Sequence, residues 1–112
     1  MSEARAIVVL STCPTDRAAS IAEALVRGGV AACVNIIEKV ESVYIWEGKL
    51  NRDPESLLVI KTAADRRGDL RDAILRIHPY QVPEIVELDV GGGNPAYLAW
   101  VHGSTRPRPA GS

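Results

Sequence analysis

The sequence predicts an α+β domain of the ferredoxin-like, split βαβ kind, with four antiparallel strands, two helices on one face and a short C-terminal helix. Three observations carry that reading. Ile7-Val8-Val9-Leu10-Ser11-Thr12, then Asp16-Arg17 and an amphipathic helix, is echoed by Leu57-Leu58-Val59-Ile60-Lys61-Thr62, then Asp65-Arg66 and a second amphipathic helix, so each half reads β-α-β. One all-apolar run from each half suits a central strand buried on both faces, and the alternating runs suit the edges. A chain of 112 residues with 46% hydrophobic and 24% charged residues holds one core and no second, and lies outside the composition of disorder.

The first strand covers residues 6–10 and ends at Ser11-Thr12-Cys13-Pro14, where proline removes a ladder donor. Thr15 is the expected cap of the first helix, which carries Ala18, Ile21, Ala22 and Leu25 at helical spacing and stops at Gly28-Gly29. Residues 30–46 are β-rich, with Val40, Ser42, Tyr44 and Trp46 on one face and Glu38-Lys39 as a candidate bulge. Glu47-Gly48-Lys49 and the polar Asn51-Arg52-Asp53-Pro54 predict an irregular hairpin before the strand at residues 57–60. Asp65 is the expected cap of the second helix, in which Leu70, Ala73, Ile74 and Ile77 share a face and which His78-Pro79 ends. Residues 84–90 alternate as a half-buried strand. Gly91-Gly92-Gly93 lacks the Lys-Ser/Thr and the spacing of a phosphate loop and reads as a flexible exit into a helix capped by Asn94, with Pro95 at its first position. Residues 1–103 form the expected domain, and residues 104–112, rich in Arg and Pro, the expected disordered tail.

Lengths bear on assembly. A helix of about 13 residues is roughly 20 Å long, whereas residues 31–46 approach 50 Å when extended at about 3.3 Å per residue. The second strand therefore overhangs its own domain. An overhanging hairpin carrying Tyr44, Ile45 and Trp46 exposes open edges and apolar surface, a liability relieved by pairing with another chain, and predicts an oligomer.

A net charge of −1 gives no basic footprint, so neither nucleic acid nor an anionic membrane is an expected partner. No apolar run approaches the ~18 residues of a membrane span, and residues 1–5 do not read as a secretory leader, so the expected setting is cytoplasmic. Cys13 and Cys33 form no CxxC and have no ligand-spaced histidine beside them, which argues against a structural zinc site and a disulfide scaffold. No paired-carboxylate, GxSxG or Ser-His-Asp pattern supports catalysis, and the expectation is a non-enzyme.

The successive segments Ala31-Ala32-Cys33-Val34-Asn35-Ile36-Ile37, Ser42-Val43-Tyr44-Ile45-Trp46-Glu47-Gly48-Lys49, Ile60-Lys61-Thr62, His78-Pro79-Tyr80-Gln81-Val82-Pro83-Glu84-Ile85 and Asn94-Pro95-Ala96-Tyr97-Leu98-Ala99-Trp100 resemble those of the CutA family of divalent-cation tolerance proteins. The resemblance runs from about Ile7 to Val101. It implies a ferredoxin-like protomer in a tight homotrimer similar to the PII signalling proteins, and a role in tolerance to divalent metals. Copper or another divalent cation is the implied bound species, with no organic cofactor.

Candidate sites follow from both sources. In family members with proposed copper ligands, a cysteine ends the first strand and one or two histidines precede Pro-Tyr. Here those positions hold Ser11 and, before His78, Ile77, so His78 is the ligand carried over, and Cys13 is the thiolate nearest to it in type. The plainer reading, a packed thiol and a helix-terminal histidine, stands beside this one. A second candidate is a cleft between subunits combining Lys61, Glu84, Tyr44, Trp46 and Tyr80, with Cys33 on its wall, in the composition usual for a small-molecule site. Against it stands a structural role, with Tyr44, Trp46 and Trp100 as trimer-interface anchors and Lys61-Glu84 as an ion pair. A small-molecule or protein partner is implied by the PII-like alternative.

Overall fold

The computed structural model describes residues 5–108. In chain order its elements are β1 (Ala6–Cys13), α1 (Thr15–Arg27), β2 (Cys33–Trp46), β3 (Lys49–Ala63), a 3-10 turn (Ala64–Arg66), α2 (Arg67–Ile77), β4 (Val86–Asp89) and α3 (Pro95–Ser104). The strands lie in the order β2-β3-β1-β4, all neighbours antiparallel. The two apolar runs occupy the centre and the alternating strands the edges, as the split βαβ plan requires.

Alternation divides the sheet into two faces. Ile7, Val9, Leu58 and Ile60 point toward α1 and α2 and close on Ile21, Leu25, Leu70 and Ile74 in one core. Burying each such aliphatic side chain stabilises the fold by about 1.5–3 kcal/mol. The intervening residues Val8, Leu10, Leu57 and Val59, with Val86 and Leu88 of β4, lie on the opposite face, which neither α1 nor α2 covers. The alternation of β4 thus turns its apolar side to that open face, while Glu87 pairs with Arg67 and Arg71 near α2. The last helix packs at one end of the sheet, where Val101 is buried with Ala6 and Ala32.

The predicted overhang is present. Residues 56–63 of β3 pair with β1, but residues 49–55 pair only with β2, and the molecule is 51 Å long against 34 and 22 Å in the other directions. The ladder shifts register between Ile37 and Val40, and Lys39 takes φ 58°, so Glu38-Lys39 is a bulge as expected. Glu47 and Gly48, at φ 51° and 80°, make a two-residue turn whose left-handed backbone matches strand twist.

Several local expectations are corrected. Asn51-Arg52-Asp53-Pro54 is regular strand, not an irregular hairpin; Pro54 is tolerated there because β1 does not reach that part of β3. Thr15 is the first residue of α1 rather than its cap, Pro14 holds the cap position, and the Ser56 hydroxyl donates to Thr15 Oγ1 at 3.2 Å. Asp65 sits inside the 3-10 turn and caps nothing, because Arg106 grips both of its oxygens at 2.8 and 2.6 Å. The regular part of β4 is four residues long instead of seven. Asn94 does cap α3, accepting from the Ala96 N–H at 3.1 Å. Residues 104–108 are held rather than loose: Ser104 ends α3, Thr105 is fully buried, Arg106 binds Asp65, and Arg108 donates to the Arg27 carbonyl at 2.6 Å. The rest of the expected tail lies outside the described residues.

Candidate functional site

On the open face, the hairpin and the segment linking α2 to β4 enclose a cleft of about 740 Å³. Strand period sets its lining. Ser42 stands opposite Asp53, so Ser42, Tyr44 and Trp46 share a face with Asp53 and Glu55, and Thr12 at the end of β1 joins them. Tyr80, Gln81, Val82 and Glu84 close the far side, carried there by the chain as it leaves α2.

His78 fixes that crossing. The ring is 8% exposed; its Nε2–H donates to the Thr12 carbonyl at 2.8 Å, and its Nδ1 accepts the Tyr80 N–H at 3.0 Å. Both nitrogens are engaged, so the histidine latches the Tyr80 segment to β1. The Tyr80 ring lies 4.8 Å from the imidazole, centroid to centroid, and its hydroxyl donates to Glu55 Oε2 at 2.7 Å. Burial and the bond to the Glu55 carboxylate push the Tyr80 phenol well above its ordinary ionisation range. Tyr44 likewise donates to Asp53, which raises the Tyr44 phenol.

The sequence-expected residues divide into three places. Tyr44, Trp46, Tyr80 and Glu84 line the cleft. Lys61 and Cys33 do not; Lys61 stands between Cys33 on β2 and Val8 on β1 as the cross-strand partner of both, and it donates to Asn35. Glu84 lies two residues before Val86, whose partner is Leu10, so Lys61 and Glu84 flank β1 about 13 Å apart along the strand and form no pair within one protomer. Trp100 is half-exposed on α3, with its ring centroid 5.7 Å from that of Tyr97, at the end of the sheet away from the hairpin.

Cys13 and His78 are brought close, because His78 holds the carbonyl of the residue before Cys13. As folded they do not make a tight copper site. Cys13 is fully buried in the core, where burial and the nearby Glu55 charge push its thiol up, while a soft metal requires the thiolate. The lone pairs of His78 have no free direction. Ser11, at the family's cysteine position, is buried with its hydroxyl unpartnered. Among the described residues no group of three or more His, Cys, Asp or Glu side chains is placed to hold a metal ion.

Asp53 and Glu55 are the site residues that sequence reasoning missed. The signal was the spacing Asp53-Glu55, which falls on one face only if the strand reaches back to Lys49. The polar run and Pro54 masked that extension.

The four-stranded antiparallel sheet with both long helices on one face defines a ferredoxin-like protein. The CutA1 divalent ion tolerance protein model matches residues 7–104. The "Protein CutA homolog" of Xenopus laevis is 46% identical over 91 residues, which are 80% of this chain and 60% of that protein. The structure of CutA1 from Oryza sativa superposes with a TM-score of 0.90 at 40% identity, covering 95% of this chain and 98% of that one. A structure described as the PII-like protein CutA from Nostoc sp. PCC 7120, in apo form, matches with a TM-score of 0.86 at 30% identity over 89% of this chain and 97% of that one. The chain belongs to the CutA1 divalent ion tolerance protein family. It spans less than two thirds of the Xenopus protein's length. Among the described residues no helix is long and apolar enough to cross a membrane.

Proposed function

We propose that the protein is a non-enzymatic homotrimer, PII-like in architecture, whose cleft beside the hairpin binds a small molecule. The observation that carries this reading is the cleft itself: a concave site with three aromatic walls, in which the Tyr80 hydroxyl donates to the buried Glu55 carboxylate of β3. Trimer formation is supported by the uncovered apolar face and by the hairpin, on which Ile45 and Trp46 are 71% and 60% exposed. Two free cysteines are in keeping with a reducing, cytoplasmic setting. The test is a mass-spectrometric inventory of what copurifies with the native protein, with light scattering on the same sample. A bound molecule lost on Tyr80→Ala in an assembly three times the protomer mass is expected; a ligand-free monomer refutes the reading.

The family description and the proximity of Cys13 to His78 favour a second reading, weak binding of divalent ions, copper among them, at that pair. Binding there has to break the bond from His78 to the Thr12 carbonyl and remove a proton from a buried thiol, which keeps affinity low. Copper calorimetry on the wild type, His78→Ala and Cys13→Ser tests it. Equal uptake by all three rules the pair out.

A further inference from the structure

We propose that residues 105–108 are a strap, closed by charge, that ties the ends of three helical elements together and opens as one unit while the core stays folded. After α3 the chain turns back: the Thr105 N–H donates to the His102 carbonyl at 3.2 Å, its hydroxyl donates to the Val101 carbonyl at 2.9 Å, and Thr105 is fully buried. Arg106 then uses three donors in two places. Its Nε–H binds the His102 carbonyl in the last turn of α3 at 2.9 Å, while Nη1 and Nη2 take the two oxygens of Asp65, in the 3-10 turn that leads into α2. Two residues on, Arg108 Nη2 donates to the carbonyl of Arg27, the last residue of α1. Its guanidinium lies over Gly29, whose φ of 75° is a backbone that favours glycine and where a Cβ would stand 3.7 Å from Arg108 Nε.

The two sides are complementary in charge. The seat consists of one carboxylate and the carbonyl ends of α1 and α3, all negative, and the strap supplies two guanidinium groups that are always charged. Pro107 stands between the arginines with its φ fixed near −65°, so seating one arginine places the other. Both seats belong to the helix layer, not to the open sheet face or the hairpin. The strap is also separable. Among the described residues the main core draws nothing from α3 or from residues 105–108, and the Arg106–Asp65 pair is partly exposed on both sides. Such contacts are individually weak, so the strap detaches far more readily than the core unfolds. Opening it frees the Arg27 carbonyl, and with it the corner at Gly28, Gly29 and Val30 through which α1 passes toward β2.

Hydrogen exchange read by mass spectrometry on the native protein tests this. The Arg106 side chain touches α3 and the turn before α2 but not α1. In Arg106→Ala, exchange is nevertheless expected to rise about two- to fivefold both at residues 105–108 and at the corner of Gly28, Gly29 and Val30. Arg108→Ala should act on the same two segments, and the double variant should add less than the sum of the two. Asp65→Asn, or salt at about 1 M, where charges are screened beyond about 3 Å, should open the wild-type strap in the same direction. Exchange at residues 57–63 should stay unchanged throughout, and circular dichroism verifies that each variant is folded. A rise in Arg106→Ala confined to residues 105–106 overturns the proposal, because the two arginine contacts are then independent. An equal rise at residues 57–63 overturns it as well, since the opening is then global. Exchange indifferent to both salt and Asp65→Asn removes charge as the closing force and overturns it too.

Discussion

The two halves of β3 share one strand and live in different surroundings. Residues 56–63 are flanked by β1 and β2 and covered by helices on one face, with Leu58 and Ile60 fully buried. Residues 49–55 have a single partner strand, and their apolar neighbours Ile45, Trp46 and Leu50 face solvent. The first half is stabilised within the protomer; the second has the geometry of a strand but little of its burial. Glu55 sits at the junction, and the cleft opens there. The contrast assigns protomer stability to one end of the strand and leaves exposed apolar surface at the other.

Cutting the core half should have the largest effect. Leu58→Ala or Ile60→Ala leaves a cavity among fully buried aliphatics and is expected to cost about 2–5 kcal/mol in denaturant unfolding. A loss as small for Leu58→Ala as for Ile45→Ala would erase the distinction between the two halves.

On the hairpin half the effect should move from folding to assembly. Trp46→Ala is expected to weaken association by a few kcal/mol, as loss of an aromatic anchor does, seen as dissociation in light scattering at decreasing concentration. Far-UV circular dichroism should stay unchanged, since the core contains no hairpin residue.

The two halves were also unequally legible in the sequence. The runs Ile7-Val8-Val9-Leu10 and Leu57-Leu58-Val59-Ile60 declare central strands because both faces of each must be apolar. The hairpin half gave no such signal: Asn51-Arg52-Asp53-Pro54 carries turn-type residues, and its strand geometry comes from pairing with residues 41–44 rather than from its own preference. Tyr44, Trp46, Tyr80 and Glu84 were legible as a group, but within one protomer Lys61 stands apart from them. Separating Lys61 from Glu84 depends on register along β1, which no local pattern encodes. The latch from His78 to Thr12 is a contact between side chain and backbone across 66 positions, equally hidden from local spacing.

At the junction the expected effect is intermediate. Tyr80→Phe removes a hydrogen bond to a buried carboxylate and should cost about 1.5–3 kcal/mol. The folded Tyr80 holds its proton more tightly than the unfolded chain, so its contribution is complete below the ordinary tyrosine pKa of about 10 and declines as pH rises above it. Ultraviolet titration of the phenolate should show a late-ionising tyrosine that Tyr80→Phe deletes; an unchanged titration would mean that the cleft is not closed by this bond.

The smallest effect belongs to the opposite end of the sheet, where Arg106 clamps Asp65 after α3. The hydrogen bonds from Arg106 hold the Asp65 carboxyl below the usual carboxylate range. A depressed acid stabilises the fold above its unfolded pKa, about 3.9, and that contribution is lost as pH falls through the lower folded value. Asp65 is more than half exposed, so solvent screening limits the pair to a few tenths of a kcal/mol, up to about 1. Arg106→Ala should therefore shift the denaturation midpoint slightly at pH 7 and by less as the pH falls through the folded carboxyl's range, where the bond from Arg106 to the His102 carbonyl remains. A shift of several kcal/mol would show that residues after α3 support the core as much as β1 and β3 do. A small shift that shrinks in acid would keep the stability of the protomer where the buried half of β3 places it.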